Sequence, residues 1–586
     1  MVLTVLSSTP GRNGVISALV ATSATAAAPS TPADPANRLT RPSVAAAPPS
    51  LAAASGLSGA YLAAVQADMR NDYVAAAEYY RRALLRDAGN LGLTQAAAVA
   101  RVAMGDIDGA HELAARLIGE APGSPIAVLV VLAHALAQGD FDAAEAVVAE
   151  TEPAGNPLLV GLVSGWIAAG RDDFTEAQAR FDALDANEGL AAYGQYHKAL
   201  ALALAGDFIS AEAILAGGDA GPLHLSRGAL VAHAQILAQI DRTDEAIALL
   251  DGAIASGFPE ASLSDLRDRL AAGEEVPFAQ ITRAEDGAAE AFLPMAEGLN
   301  TPDSDRLALI YARLALHIRP DLTEASLIAA EALEREDQYT LATAALAAVP
   351  DDSPWLVTAE IRRANTQRVA GETDAAIATL TALAERRPEL VEVHAALGDH
   401  LRMAERYPEA AEAYGRAIAL IEAPQQGHWG LFYSRAISYE RAGDWAGSEA
   451  DFRKALELNP DEPGVLNYLG YSLVEQRRDL DEALNMIEKA VAGQPDDGYI
   501  TDSLGWVLYR LDRYDEALPH MLRAVELEPV DPVINDHLGD VLWMVGRQRE
   551  AEFQWRRALS FGPAPDLDMD RIRRKLDVGL DPVLAD

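Results

Sequence analysis

Residues 467–495 read NYLGYSLVEQRRDLDEALNMIEKAVAGQP, residues 501–529 read TDSLGWVLYRLDRYDEALPHMLRAVELEP, and residues 535–563 read NDHLGDVLWMVGRQREAEFQWRRALSFGP. Each segment has a Leu-Gly pair near its start, two alanines seven residues apart in its second half and a proline at its end. Small residues at fixed places within a helical spacing of apolar residues let two helix backbones pack closely. The proline cannot continue a helix, so the chain turns there. The segments therefore predict helical hairpins that recur about every 34 residues.

Weaker copies of this pattern extend toward the N-terminus in the same phase. The positions that carry it are Tyr73 and Ala76, Ile107 and Ala110, Phe141 and Ala144, Phe174 and Ala177, and Phe208 and Ala211. The regular spacing of the small residue in successive first helices is then interrupted, because 62 residues separate Ala234 from Ala296. Beyond Ala296 the phase resumes, with a four-residue insertion between Gly398 and Ala436. The pattern predicts six hairpins, an irregular joint and eight more hairpins; a degraded repeat is the alternative interpretation of the joint.

Together these patterns predict an all-α fold, a right-handed α-solenoid of about fourteen hairpins with the joint near its middle. The predicted parts are a possible signal peptide at 1–28, a disordered Pro/Ala-rich linker at 29–55, an N-terminal array at 56–253, the joint at 254–288, a C-terminal array at 289–565, and a capping helix and tail at 566–586. The signal peptide rests on Arg12, the apolar run Val15 to Val20 and the small residues that follow. A disordered or wrongly assigned start is the alternative.

Composition excludes several classes of partner and chemistry. The chain carries 88 acidic and 47 basic residues, for a net charge of −41, which disfavours nucleic acid and anionic lipid surfaces as partners. It has no cysteine, so disulfides and thiolate chemistry are excluded. No H-E-x-x-H, phosphate-loop or G-x-S-x-G motif occurs, and His134, His197 and His233 stand singly in apolar helical patterns. We therefore expect no catalytic centre, no metal and no cofactor.

The repeats resemble tetratricopeptide repeats (TPR) over nearly the whole chain. From Trp355 to Pro563, phrases such as VLNYLGYSL and INDHLGDVLWMVGRQREAEFQWRRAL also resemble the long TPR proteins of the proteobacterial envelope. That looser resemblance implies a periplasmic or envelope-associated adaptor. Some relatives of this kind are outer-membrane lipoproteins, and one class docks and activates a carboxyl-terminal processing protease. Without cysteine, the chain departs from the lipoprotein pattern.

In TPR arrays the concave wall is lined mainly by the first helix of each hairpin, and a partner protein or peptide is expected to bind there. The residues at the corresponding places are Tyr433, Asn467, Tyr471, Tyr499, Asp502, Trp506, Tyr509, Asp536, Asp540 and Trp543. Aromatic anchors alternating with carboxylates favour a peptide with apolar side chains and some positive charge. A clamp for a terminal carboxylate is disfavoured, because Asp502 and Asp536 replace the donors that it requires.

Helical spacing leaves a second interpretation of these aromatic residues open. Trp506, Tyr509 and Trp543 either face the groove or brace neighbouring helices. Tyr414, Phe452, Met521 and Trp555, at the stacking position of second helices, are predicted core residues.

The predicted function is a non-enzymatic scaffold or adaptor without a direct membrane span, and homo-oligomerisation is left open. Three alternatives stay open: a regulatory subunit that activates a separate enzyme such as a protease, a cytoplasmic TPR assembly factor, and a structural spacer with no ligand in the groove.

Overall fold

A computed structural model of the protein describes residues 56–120, 123–151, 156–217, 223, 226–255, 261–564 and 567–585. The predicted signal peptide and linker lie outside these residues. The described part of the chain contains helices and no strand, which confirms the all-α prediction. Among its helices, none has the length and apolarity that crossing a membrane requires.

The chain forms two compact units. The N-terminal unit extends to Leu383 and the C-terminal unit begins at Ala384. The predicted domain boundaries remain predictions, and the predicted joint at 254–288 lies inside the N-terminal unit.

The first twenty helices are α1 (Leu57–Asp68), α2 (Tyr73–Leu84), α3 (Leu91–Met104), α4 (Ile107–Glu120), α5 (Pro125–Ala137), α6 (Phe141–Thr151), α7 (Pro157–Gly170), α8 (Phe174–Asp182), α9 (Glu188–Leu204), α10 (Phe208–Leu215), α11 (Arg227–Gln239), α12 (Thr243–Ala255), α13 (Ala261–Ala271), α14 (Ala284–Glu290), α15 (Leu293–Gly298), α16 (Asp305–Ile318), α17 (Thr323–Arg335), α18 (Tyr339–Ala347), α19 (Leu356–Val369) and α20 (Thr373–Arg386). The remaining helices are α21 (Val391–Met403), α22 (Tyr407–Ala419), α23 (Trp429–Arg441), α24 (Trp445–Leu458), α25 (Pro463–Glu475), α26 (Leu480–Gly493), α27 (Gly498–Arg510), α28 (Tyr514–Leu527), α29 (Pro532–Met544), α30 (Gln548–Ser560), α31 (Met569–Val578) and α32 (Leu580–Ala585).

Small residues of first helices admit large side chains from second helices, as the sequence predicts. A β-carbon at Gly398 would lie 2.7 Å from the ring of Tyr414, and one at Gly505 would lie 2.8 Å from Met521. At Gly539 it would overlap Trp555. Tyr414, Phe452, Met521 and Trp555 are all buried, so their assignment to the core is confirmed. The glycines therefore provide room for these side chains between the two helices of a hairpin.

The turn inside each hairpin repeats one backbone conformation. A residue with positive φ ends the first helix at Asn71, Gly105, Gly139, Asp172, Gly206, Asp241, Asp337, Gly371, Glu405, Gly443, Arg477, Asp512 and Gly546. Glycine adopts this left-handed conformation at no steric cost, and asparagine and aspartate tolerate it. In several hairpins the next residue is an aspartate that accepts a hydrogen bond from the N–H three residues on, as Asp207 does from Ser210 at 3.1 Å. That bond caps the second helix and fixes where it begins.

Around the predicted joint the packing is not that of a regular array. Helix α13 packs on α12 as a single extra helix. The helical segment around Ala296 is broken into α14 and α15 because Pro294 cannot donate a backbone hydrogen bond. Helix α14 packs against α7 and α9, and α16 packs against α3, α4 and α5. Residues 284–318 therefore lie against the first helices α3, α5, α7 and α9 and the second helix α4 of early hairpins.

Long-range polar contacts close the N-terminal unit. Tyr73 Oη donates a hydrogen bond of 2.6 Å to Glu336 Oε2, across 263 residues of sequence. Arg306 donates to the Asp68 carbonyl at 2.9 Å and to Asn71 Oδ1 at 3.0 Å. The first hairpin is thus joined to residues 306–336.

Candidate functional site

The predicted binding residues lie on four successive first helices, α23, α25, α27 and α29, of the C-terminal unit. Six of them are buried: Tyr433, Asn467, Asp502, Trp506, Tyr509 and Asp540. The other four, Tyr471, Tyr499, Asp536 and Trp543, are partly exposed. Most of the ten predicted binding residues are therefore in contact with other parts of the protein.

Trp506 shows what these contacts are. Its indole ring stacks on Tyr509 at 4.7 Å and on His537 at 4.0 Å between ring centroids, and its Nε1 donates to Glu475 at 2.8 Å. Only 9% of Trp506 and 7% of Tyr509 is exposed. These two rings link α25, α27 and α29, which agrees with the packing interpretation of the two residues.

A buried imidazole–carboxylate pair lies beside this stack. His537 Nδ1 is 2.9 Å from Asp502 Oδ2. Burial lowers the pKa of His537, but the charge and hydrogen bond of Asp502 outweigh burial, so the net pKa is raised. The second oxygen of Asp502 is buried and has no hydrogen-bond partner among the described residues, and the same holds for Asn467 Oδ1. Two predicted site residues on neighbouring helices thus keep an unused acceptor.

Asp536, Asp540 and Trp543 are covered by the end of the chain. Lys575 of α31 donates to both oxygens of Asp536, at 2.9 and 2.8 Å, and to Asp540 Oδ2 at 2.9 Å. Trp543 Nε1 donates to Asp581 of α32 at 3.2 Å. In this structure the capping segment already occupies the groups that the sequence assigned to a partner.

Tyr433 is held in an aromatic cluster. Its ring lies 5.9 Å from Trp429, 5.9 Å from Phe452 and 6.2 Å from Tyr468 between centroids. Burial raises its pKa to about 12. The cluster joins α23, α24 and α25, so Tyr433 belongs to the core of the unit.

Tyr499 lies near three carboxylates, those of Asp497, Glu528 and Asp531. We call these four residues the acidic pocket. Burial and these three carboxylates raise the pKa of the phenol. The pKa values of Glu528 and Asp531 are also raised, first by burial and then by nearby carboxylates. Within the described residues, no lysine or arginine forms an ion pair with any of the three. Asp497 and Asp531 accept backbone hydrogen bonds from Ile500 and Ile534 as helix caps. The pocket therefore combines a partly exposed ring with three carboxylates that lack a cationic side-chain partner among the described residues.

Sequence reasoning missed Glu528, Asp531, His537 and Lys575. A signal for the last of these exists, because Ile572 follows Leu538 by 34 residues and is fully buried. Helix α31 therefore continues the phase of the first helices and places Lys575 against α29. No comparable signal marks Glu528 and Asp531, which lie in the turn between two hairpins.

Comparison with known proteins identifies the repeats. Residues 96–157 and 361–427 match one family described as tetratricopeptide repeat, and residues 425–561 match a second family of the same description. A TPR repeat-containing protein of Pseudomonas aeruginosa is 40% identical over 80 residues, a stretch that spans 14% of this chain and only 14% of that protein.

Similar solved structures have low identity. Cut9 with Hcn1 of the APC/C is 15% identical with a TM-score of 0.35, and the match covers 79% of this chain and 98% of that one. A tetratricopeptide repeat protein from Parabacteroides merdae is 15% identical with a TM-score of 0.36, over 44% and 99% of the two chains. YrrB, described as a TPR protein with an unusual peptide-binding site, is 19% identical with a TM-score of 0.26, over 29% and 86%.

Proposed function

Because the chain is a tetratricopeptide repeat protein, and such repeats make protein–protein interaction scaffolds, we propose that its C-terminal unit holds a basic partner polypeptide at the acidic pocket. The partner would place a lysine or arginine among Asp497, Glu528 and Asp531 and an apolar side chain against Tyr499. The polypeptide would continue over Tyr471, a partly exposed ring on α25.

The observation that carries this proposal is the missing counter-charge. Partly buried carboxylates close to one another raise each other's pKa, and a cation between them removes that cost. Desolvated charge pairs of this kind contribute more than pairs at an exposed surface. The overall charge of −41 also attracts a basic partner over distances up to about the Debye length of 10 Å at 0.1 M salt.

Replacement of Tyr499 with alanine, or of Glu528 with glutamine, is expected to weaken partner binding by about tenfold or more. The partner would be captured from the native host with the full chain, identified by mass spectrometry, and its purified form titrated by calorimetry. Affinity is expected to fall with added salt and with acidification, because protonated carboxylates no longer attract the cation.

Two matched variants control for general damage. Tyr407→Ala removes a partly exposed tyrosine from the second helix α22, and Glu526→Gln removes an exposed carboxylate from α28 itself. Both should bind the partner as the wild type does. Equal affinity of Tyr499→Ala, Glu528→Gln and the wild type would show that the partner binds elsewhere.

We also propose that the protein acts in the bacterial envelope. The support is the sequence of residues 1–28 and the resemblance of the repeats to envelope TPR proteins. Mass spectrometry of the N-terminal peptide from cells of the native host is expected to find a mature chain that begins near Pro29. A chain that retains residues 1–28 would favour a cytoplasmic scaffold.

A further inference from the structure

Three histidines and one aspartate meet in the N-terminal unit, although 209 residues separate the first from the last in sequence. Asp108 and His111 lie on α4, His134 on α5 and His317 on α16. The ring of His134 stacks on His111 at 3.9 Å and on His317 at 5.6 Å between centroids. His134 therefore does not stand alone on its helix, because His111 from α4 and His317 from the distant α16 both lie against its ring.

The nitrogens of this cluster face one carboxylate oxygen without bonding to it. His134 Nδ1 is 3.6 Å and His317 Nε2 is 3.9 Å from Asp108 Oδ1. Hydrogen bonds between nitrogen and oxygen need about 2.7–3.2 Å, so both distances are too long. The same two nitrogens are buried and have no hydrogen-bond partner among the described residues. Buried polar atoms are usually satisfied, so this pair requires a further group.

The separations suit a metal ion between the three side chains. Zinc lies about 2.0–2.2 Å from imidazole nitrogen and carboxylate oxygen, and two ligands of a tetrahedral ion are then roughly 3.3–3.5 Å apart. The three ligand atoms, one from each of His134, His317 and Asp108, all lie within 4.8 Å of one another. The two nitrogen–oxygen distances, 3.6 and 3.9 Å, would have to shorten by only a few tenths of an ångström, and the Asp108 side chain, 82% exposed, is free to adjust. The separation between His134 Nδ1 and His317 Nε2 is at most 4.8 Å, so the two imidazoles would have to approach each other by up to about 1.3 Å.

We propose that His134 Nδ1, His317 Nε2 and the Asp108 carboxylate bind a divalent transition-metal ion, Zn²⁺ being the ion that best suits two imidazoles and one carboxylate. Water would complete the coordination on the exposed side of Asp108. His111 contributes no ligand atom; its stacked ring fixes the orientation of His134, as outer groups of metal sites do.

The site would tie α16 to the neighbouring helices α4 and α5, which belong to two successive hairpins. Asp108 comes from the second helix of one hairpin and His134 from the first helix of the next, whereas His317 comes from the segment that packs on both helices after the joint. Bound metal therefore stabilises an arrangement of helices that the repeat pattern alone does not produce. This role is independent of the acidic pocket in the C-terminal unit.

The test is titration of the untagged, metal-free full chain with Zn²⁺ by calorimetry, and with Co²⁺ by visible absorption. We expect one tight Zn²⁺ site per chain and the absorption bands of cobalt bound by nitrogen and oxygen ligands. His134→Gln and His317→Gln should each weaken Zn²⁺ binding by about tenfold or more, and Asp108→Asn should also weaken it. Zn²⁺ should raise the unfolding temperature of the wild type and leave that of His317→Gln unchanged.

His520→Gln, on α28 of the C-terminal unit, is the matched control and should bind Zn²⁺ like the wild type. Circular dichroism of the metal-free proteins identifies any variant that fails to fold. If a histidine variant fails to fold, Asp108→Asn still tests the proposal, because Asp108 is exposed and its replacement should not disturb the fold. Wild-type binding no tighter than that of the His134→Gln, His317→Gln double variant would overturn the proposal. So would equal affinity of Asp108→Asn, His317→Gln and wild type.

Discussion

Replacement of Lys575 with methionine is expected to destabilise the C-terminal unit by about 3–5 kcal/mol, the usual cost of removing one partner from a buried ion pair. The Lys575 side chain is 1% exposed, and its single ammonium group forms ion pairs with both Asp536 and Asp540. Methionine fills similar volume, so the loss would come from leaving the carboxylates buried without a cation rather than from a cavity.

The pH dependence of this loss separates charge from packing. Burial, opposed by Lys575 and reinforced by Asp536, already raises the pKa of Asp540 to about 6 in the wild type. A carboxyl whose pKa is higher in the folded state destabilises the fold most above that pKa, and the cost disappears as pH falls below the unfolded value near 3.9. Without Lys575 the pKa of Asp540 rises further, so Lys575→Met should regain part of its stability between pH 7 and pH 5.

Amide hydrogen exchange of the full chain is the suitable measurement, because it reports each unit separately when unfolding is not two-state. Peptides from α29 to α31 should lose protection, and peptides from α1 to α9 should not. Lys454→Met, which removes a partly exposed lysine paired with exposed Glu457, should change protection little. Undiminished protection of α29 in Lys575→Met would show that the ammonium group does not hold the cap in place.

Replacement of Trp166 with alanine is expected to destabilise the N-terminal unit by about 3–5 kcal/mol, the cost of removing a large core aromatic side chain. Trp166 is fully buried on α7, and its Nε1 donates to His197 Nδ1 at 2.8 Å. Gly287 of α14 lies directly against this ring, and a β-carbon there would overlap it. Gly287→Ala alone should therefore cost about 1–3 kcal/mol through overpacking.

The double variant tests whether α14 is seated on Trp166. Once the indole is gone, the added methyl group has room, so Gly287→Ala should cost less in the Trp166→Ala background than alone. Protection of α7 and α14 against hydrogen exchange measures how much Gly287→Ala destabilises the unit in the wild-type and in the Trp166→Ala background. Tyr61→Ala, at a residue that is 47% exposed, is the control and should destabilise the unit little. Strict additivity of the two changes would mean that α14 packs elsewhere.

The fold of the repeats could be predicted because it depends on local spacing. In four hairpins a glycine of the first helix contacts a large side chain sixteen or seventeen residues later in the sequence; these glycines are Gly398, Gly470, Gly505 and Gly539. The glycine and its partner therefore lie within one short segment of sequence. The packing of α14 and α16 could not be predicted in this way, because their contacts with α3 to α9 follow no period. Pro294 was the local sign that the hairpin around Ala296 would be irregular.

The candidate site was less accessible to sequence reasoning. Helical spacing placed Trp506 on the correct helix but could not show that His537, 31 residues away, would cover its ring. The acidic pocket combines Asp497 with Glu528 and Asp531 from the next inter-hairpin turn, and in a chain with 88 acidic residues no three stand out. The histidine cluster requires α16 to pack beside α4, which only the tertiary structure shows.

The hydrogen bond from Tyr73 to Glu336 has a consequence for biosynthesis. At about 5–20 residues per second, a ribosome needs roughly 15–50 s to pass from Tyr73 to Glu336. During that interval the newly made first hairpin lacks the segment that closes the unit, and the surfaces that will receive α14 and α16 stay open to water and to other nascent chains. We therefore expect folding of this half to finish late in translation, with its earliest helices waiting longest for their partners.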